Sequence, residues 1–353
     1  MKQRTYALGL ALCFALVWVV VTAYVSTTAT YTGDMTRLGG YREQDFAPRA
    51  GEEVFNEQLW TQAPTLKTYD RPYDVVVVGD SFSQNTTFGW ENYLHEATGW
   101  SIITFHSGQI SIPELLESET FRQHPPKLFV YEIVEHGLHT LNPGFGDDVS
   151  IPVDTASVTS TLSLAPEPAT KTRVLPDLSP SFNMSDGVHR LQRDLKRLIG
   201  TRDKAIRCQL TSDVFFTNRL PSEILYYHGD TWKNDVTPEW WAIIAQRVRT
   251  LRERVEANGV THFVFMLAPD KSTIFRDYIQ SPPTPILNTL ELLPNAGDLP
   301  RLPLHEAIGA AVESGEVQDI YLPNDAHWGN AGHQIAARTL LEYLNERGVI
   351  RPQ

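Results

Sequence analysis

From residue 74 onward, short runs of β-branched and aromatic residues alternate with longer stretches of amphipathic spacing. Residues 74–79 (DVVVVG), 101–105 (SIITF) and 127–134 (KLFVYEIV) are nearly unbroken apolar runs bounded by turn residues. Such runs predict strands buried on both faces, as in a parallel sheet. Residues 90–98 and 112–121, which lie between them, have the spacing of helices. The alternation resumes after residue 237, with a helix over 239–258, a strand over 261–267, a helix near 304–314, a strand around 319–322 and a final helix over 331–346. Strand and helix in turn imply right-handed βαβ units. The expected fold is therefore α/β, a three-layer parallel sheet flanked by helices.

Between about 137 and 237 this pattern lapses. Proline, serine and threonine dominate 151–180, a basic amphipathic stretch covers 188–199, and 223–227 is strand-like. A long stretch with few regular elements inside a compact domain usually serves as a lid or binding loop, so it is read as an insertion.

The N-terminus differs from all of this. About twenty uncharged residues, 6–25, match the ~30 Å hydrocarbon core of a bilayer at 1.5 Å per helical residue. Lys2 and Arg4 precede this run, and Ser/Thr-rich residues and Asp34 follow it, so the positive-inside rule leaves the N-terminus cytoplasmic and the bulk exported. A cleaved signal peptide usually has a shorter apolar core and a small-x-small site, which favours a retained anchor. The expected organisation is a cytoplasmic start and transmembrane signal anchor over 1–26, a linker and N-terminal arm over 27–72, and a folded domain over 73–353. The chain would then be a single-pass protein of a bacterial inner membrane with its domain in the periplasm.

Composition narrows the functional classes. A formal net charge of −12 argues against electrostatic capture of nucleic acid or of an anionic bilayer surface, and any polyanionic ligand would need a local basic patch. With only Cys13, inside the apolar run, and Cys208, far from it, neither a disulfide framework nor a cysteine metal site can be built. His136 and His139 stand three apart, a spacing read as a solvated face, and the expectation is no metal and no cofactor. No phosphate-cradling glycine loop is present.

The candidate chemistry sits at predicted strand ends. Gly79-Asp80-Ser81-Phe82-Ser83 follows the first core strand, where open parallel sheets bind ligands. Asn324-Asp325-Ala326-His327-Trp328 precedes the final helix, and the two-residue spacing lets Asp325 orient and charge-stabilise His327. A serine hydroxyl needs such a base at neutral pH. After the second strand, Phe105-His106-Ser107-Gly108-Gln109 offers a Gly108 N–H that could join that of Ser81 as an oxyanion hole. Each piece also has a plain structural reading: a turn serine, a loop histidine, a glycine chosen for its backbone freedom.

Gly-Asp-Ser, then glycine, then Asp-x-His resembles the SGNH hydrolase superfamily at Ser81, Gly108 and Asp325/His327. Where those hydrolases carry Gly-x-Asn-Asp after the third strand, this chain has Tyr131-Glu132-Ile133-Val134-Glu135-His136. That segment, together with Gly-Asp-Ser-Phe-Ser, Ala268-Pro269-Asp270-Lys271-Ser272 and Asp-x-His-Trp, is similar to the SGNH-like domain of the alginate O-acetyltransferase family, here with the serine first, the unpermuted order of ordinary SGNH hydrolases. The resemblance implies Ser81, His327 and Asp325 as catalytic residues, and Asp80, Glu135, Lys271 and Trp328 as further motif positions near the oxyanion or binding site. From the residues alone, Glu135 and Lys271 read as a partly exposed ion pair, and Trp328 as either a sugar-stacking or a core residue.

The function this implies is O-acetylation of an exopolysaccharide or cell-surface glycan through an acyl-serine, with a polysaccharide acceptor and a membrane-bound acyltransferase as acetyl donor. A periplasmic carbohydrate esterase or deacetylase would use the same residues with water as acceptor. A non-catalytic glycan-binding scaffold is the reading from another class.

Overall fold

The computed structural model describes residues 2–26, 31–63, 68–69, 71–142, 144, 169–176, 184–198 and 204–350. Its central sheet is parallel throughout: β1 (Thr61–Gln62), β2 (Val75–Gly79), β3 (Ile102–His106), β4 (Leu128–Val134) and β5 (His262–Ala268), in the order β1-β3-β2-β4-β5. Alternate side chains enter two separate cores. Val75, Val77, Val130 and Met266 pack with Trp90 and Leu94 of the helix Trp90–Thr98 and with Leu340 and Leu344 of the C-terminal helix Asn330–Glu346. Val76, Val78, Phe129 and Phe265 pack with Trp241, Ile244 and Val248 of the helix Pro238–Glu256. With helices covering both faces, every position on β2 is buried, which accounts for its uninterrupted valine run.

Two expected elements come out differently. Residues 319–322 form no sheet strand. Asp319 has a left-handed backbone (φ 52°), Pro323 removes a donor, and Tyr321 makes only an isolated antiparallel bridge to Trp328. The edge strand beside β3 is Thr61–Gln62, from the N-terminal arm. The helix expected over 112–121 breaks at Ser118 into Ile112–Glu117 and Glu119–Gln123, and the Ser118 hydroxyl accepts the Phe121 N–H at 3.2 Å to cap the second piece.

Within 137–237, a strand Ala205–Leu210 pairs antiparallel with Glu223–Tyr227 and with Ile279–Gln280, and Lys171–Val174 pairs with Glu52–Phe55 of the arm. The basic stretch is the helix Met184–Leu198. Most of the proline- and serine-rich run, 151–168 and 177–180, lies outside the described residues.

The N-terminal helix Lys2–Ser26 contains an apolar span, Thr5–Tyr24, of mean hydropathy 2.3, in which no residue is buried. By length and composition it can cross a membrane, a property that signal sequences share.

Candidate active site

At the carboxyl end of β2 the chain turns through Asp80 into a short 3₁₀ turn, Ser81–Ser83. Gly79 is needed here for space, because a Cβ on it would lie 2.5 Å from Ser83 Oγ and 2.8 Å from Glu132 Oε2. The Asp80 carboxylate fixes the turn by accepting the Phe82 N–H at 3.0 Å and the Val134 N–H, at the end of β4, at 2.7 Å. Beneath it, Glu132 Oε2 accepts the Asp80 N–H and the Ser83 hydroxyl, both at 2.9 Å. Burial, and then the neighbouring Asp80 carboxylate, push Glu132 well above the ordinary carboxylate range. Asp80 is thus a brace for the serine turn and has no N–H or O–H aimed at the site.

Ser81 is exposed, and its Oγ lies 2.7 Å from Nε2 of His327, while Nδ1 of that ring lies 2.6 Å from Asp325 Oδ1. Two segments about 250 positions apart therefore meet at one sheet edge. Burial opposes charge on the imidazole, but the hydrogen bond to Asp325 and its negative charge outweigh it and hold His327 above the usual histidine value. Burial would likewise raise Asp325, yet the His327 contact and backbone N–H donors from Asp34 and His327 keep it far below the ordinary range. The tautomer this favours carries the proton on Nδ1 and leaves Nε2 free to accept from Ser81.

The turn bearing Asp325 and His327 belongs to no sheet, so it is held by other means. Leu322 and His327 are bridged at 3.0 Å, and Asp325 N–H donates to Leu322 O at 3.1 Å. From below, the buried Lys271 Nζ donates to the carbonyls of Leu322 (2.8 Å), Asp325 (3.0 Å) and Pro323 (3.3 Å). Burial pulls this lysine down to about 7, against the attraction of Asp325, Asp319 and Asp230. From above comes the arm: Met35 and Thr36 donate to Asn324 O, and Asp34 N–H donates to Asp325 Oδ2 at 2.9 Å. Gly33 packs so closely that a Cβ would lie 2.2 Å from Asn324 O. The arm residues Gly33, Asp34 and Glu43, whose carboxylate accepts from Asn324 Nδ2 at 2.6 Å, were not legible as site residues in the sequence.

The remaining motif positions sort by burial. Glu135 does not pair with Lys271; both are fully buried, and Glu135 Oε1 lies 2.9 Å from Lys233 Nζ, which also reaches Asp270 Oδ2 at 3.0 Å. Burial would raise Glu135, but Lys233 foremost, with His305 and the Asp270 N–H, holds it well below the ordinary range. Trp328 is wholly buried against Phe82 and His333, so it shapes the core beneath the site and offers no face to a sugar. Gly108 sits beside the serine turn through the Gly79–His106 register, yet its N–H donates to His106 Nδ1 at 3.0 Å. Its φ is not positive, so backbone freedom is not the reason for glycine there. Among the described residues the Ser81 N–H, at the open start of its turn, has no protein acceptor.

Next to the serine turn, His136 Nδ1 lies 2.6 Å from Asp270 Oδ1 and 3.5 Å from Asp230 Oδ1. Burial works against its charge, but Asp270, then Asp230 and Asp80, lift it to about 9. Its ring borders Tyr227, which meets Trp232 edge-on; Trp232 (45% exposed) in turn borders His139, whose carbonyl accepts from Trp240 Nε1. A row of aromatic rings thus runs from His136 to the surface. Two groups have metal-like proximity, His136/Asp230/Asp270 and Asp34/Asp325/His327. In the first, Lys233 and the charged His136 already balance the carboxylates; in the second, Asp34 pairs with Arg37 and His327 with Asp325.

The family described as "SGNH hydrolase-like domain, acetyltransferase AlgX" matches residues 20–135, about a third of the chain. The chain is similar to that domain from the end of the apolar helix through the arm, the serine turn and Glu135, and the matched stretch ends before Lys271, Asp325 and His327. Neither the curated proteins nor the solved structures provide a match.

Proposed function

We propose that this protein is a serine-dependent O-acetyltransferase that moves an acetyl group onto a hydroxyl of an exopolysaccharide or cell-surface glycan. One observation carries the proposal: the Ser81, His327 and Asp325 side chains form a continuous relay of 2.7 and 2.6 Å at the carboxyl edge of the sheet. In the first half-reaction His327 Nε2 takes the hydroxyl proton while Ser81 Oγ attacks the donor carbonyl. Collapse of the tetrahedral intermediate forms an acetyl ester on Ser81, and the imidazolium returns its proton to the leaving group. An acceptor hydroxyl then repeats the sequence on the ester, giving up its proton to His327, and Ser81 leaves as the alcohol. The Ser81 N–H serves the oxyanion, and Gly108 N–H joins it by exchanging His106 for the developing charge.

Acetyl rather than another acyl group, and a glycan rather than water, are supported by the acetyltransferase named for the matching family and by the aromatic rings of Tyr227 and Trp232, since sugars stack on such faces. In this reading the Thr5–Tyr24 span is retained in a bacterial inner membrane, the domain is periplasmic, and a membrane-bound acyltransferase supplies the acetyl group. A second reading, a carbohydrate esterase or deacetylase, is favoured by the exposure of Ser81, which leaves the acyl ester open to water when no acceptor is bound. Turnover of a p-nitrophenyl acetate by the full-length chain, with and without glycan, separates the two. Acetylated glycan and faster turnover on adding it support transfer; fast hydrolysis indifferent to glycan supports the esterase.

A further inference from the structure

The helix Met184–Leu198 presents its faces the wrong way round for a soluble domain. Val188, Leu191 and Leu195 recur at the three- and four-residue spacing of one helical stripe, which ordinarily faces a core. Here Val188 is 38% and Leu195 54% exposed, and it is the polar face that turns toward the protein. Asp186 is buried and accepts the Tyr31 N–H at 3.1 Å, and Arg193 donates to the Arg37 carbonyl at 3.2 Å. Asp194 accepts from the Tyr24 hydroxyl, over whose ring the Arg190 guanidinium sits at 5.0 Å. At 100° per residue, positions 186, 190, 193 and 194 fall opposite 188, 191 and 195.

The place of this helix in the fold gives the inversion its meaning. Tyr24 is the last residue of the apolar Thr5–Tyr24 span, so the helix is tied to the point where the span ends. Tyrosine is favoured at membrane–water boundaries, where its ring lies among headgroups. An apolar stripe turned away from the protein at that level faces lipid. The helix is also basic against a chain of net charge −12: its sequence holds Arg190, Arg193, Lys196 and Arg197 against Asp186 and Asp194. An excess of basic over acidic residues on a helix that carries an apolar stripe suits an anionic headgroup layer.

We infer that Met184–Leu198 is an interfacial helix, inserted by its Val188/Leu191/Leu195 stripe into the headgroup region of the bilayer that the N-terminal helix crosses. The inference rests on the reading of Thr5–Tyr24 as a retained span. It gives the domain a second membrane contact, so that the catalytic edge holds one height and orientation instead of swinging on a tether.

The test uses the full-length chain in vesicles of phosphatidylglycerol and phosphatidylethanolamine with brominated acyl chains. An environment-sensitive dye is placed on Leu195→Cys in a Cys13→Ser chain, on Glu313→Cys in the same chain as a solvent-exposed control, and on native Cys13 to report the span. The expected result is strong quenching at 195, within about twofold of that at Cys13, as for a stripe buried roughly 5–10 Å into the headgroup boundary, with none at 313. A quenched Cys13 with an unquenched 195 overturns the inference while leaving the anchor intact, and crosslinking from 195 to a second copy or another protein would then identify what covers the stripe. An unquenched Cys13 removes the anchor reading and the inference with it. As a second variant, Leu195→Glu is expected to retain ester turnover and lose the quenching of a dye on Val188→Cys; retained quenching overturns the inference.

Discussion

The Nζ of Lys271 lies 3.0 Å from the carbonyl oxygen of Asp325, so the aspartate beside His327 hangs from a buried lysine and not from a sheet strand. Three carbonyls of one turn converge on this single group. Lys271→Met is expected to lower kcat on an acetyl ester by on the order of 10²-fold, the scale of a misplacement near 1 Å, with KM little changed. Steady-state kinetics beside a thermal unfolding curve checks this; wild-type kcat in a folded variant would show that the turn holds itself.

Gly33 presses on the same turn from the opposite side. Gly33→Ala places a methyl carbon where Asn324 O stands, so the arm or the turn must move. The expected outcome is a loss of about 1–3 kcal/mol in stability and a fall in kcat larger than any change in KM. A denaturant titration and initial-rate kinetics measure both.

The proposed mechanism needs a neutral His327, whose pKa is raised above the ordinary histidine value despite its burial by the hydrogen bond and charge of Asp325. Activity is therefore expected to be lost as pH falls through a midpoint above about 6.5. Asp325→Asn removes the charge that raises it, so the midpoint should move down and kcat should fall by on the order of 10⁴-fold. A pH–rate profile of both proteins gives the answer.

Lys233 neutralises Glu135 and Asp270 with no solvent contact. Lys233→Met leaves Glu135 buried without its ammonium partner and Asp270 with His136 alone, and is expected to cost about 3–5 kcal/mol. Stability should also depend on His136, lifted to about 9 against its burial by Asp270, Asp230 and Asp80. A folded pKa above the unfolded ~6.5 means that its contribution is complete below that pH and disappears as pH rises through about 9. The thermal midpoint should fall over this window, and His136→Gln should flatten the slope.

How far the sequence anticipates these features depends on the range of the interactions. The valines of β2 and the Gly-Asp-Ser turn announce themselves because burial on both faces and a close backbone approach are local demands. The two-residue spacing of Asp325 and His327 is equally local. The arm's hold on Asn324 is not: Gly33 and Asp34 look like linker residues, and only the fold brings them to a turn almost 300 positions away. Lys271 and Glu135 read as a partly exposed pair from their types, but Glu135 pairs with Lys233, a residue with no motif around it, and Lys271 with the carbonyls of the Asp325 turn. Residues 319–322 have strand-like composition, but the left-handed backbone of Asp319 and the missing donor of Pro323 leave only the isolated Tyr321–Trp328 bridge.

The acyl-serine is the center of the account, and peptide mass spectrometry of the full-length chain tests it most directly. After brief reaction with an activated acetyl ester and acid quenching, the acetyl group should be found on Ser81, accumulate without glycan, and disappear on adding it as acetylated glycan forms. Acetylated glycan formed at the wild-type rate by Ser81→Ala, with no adduct ever found at position 81, would contradict the account.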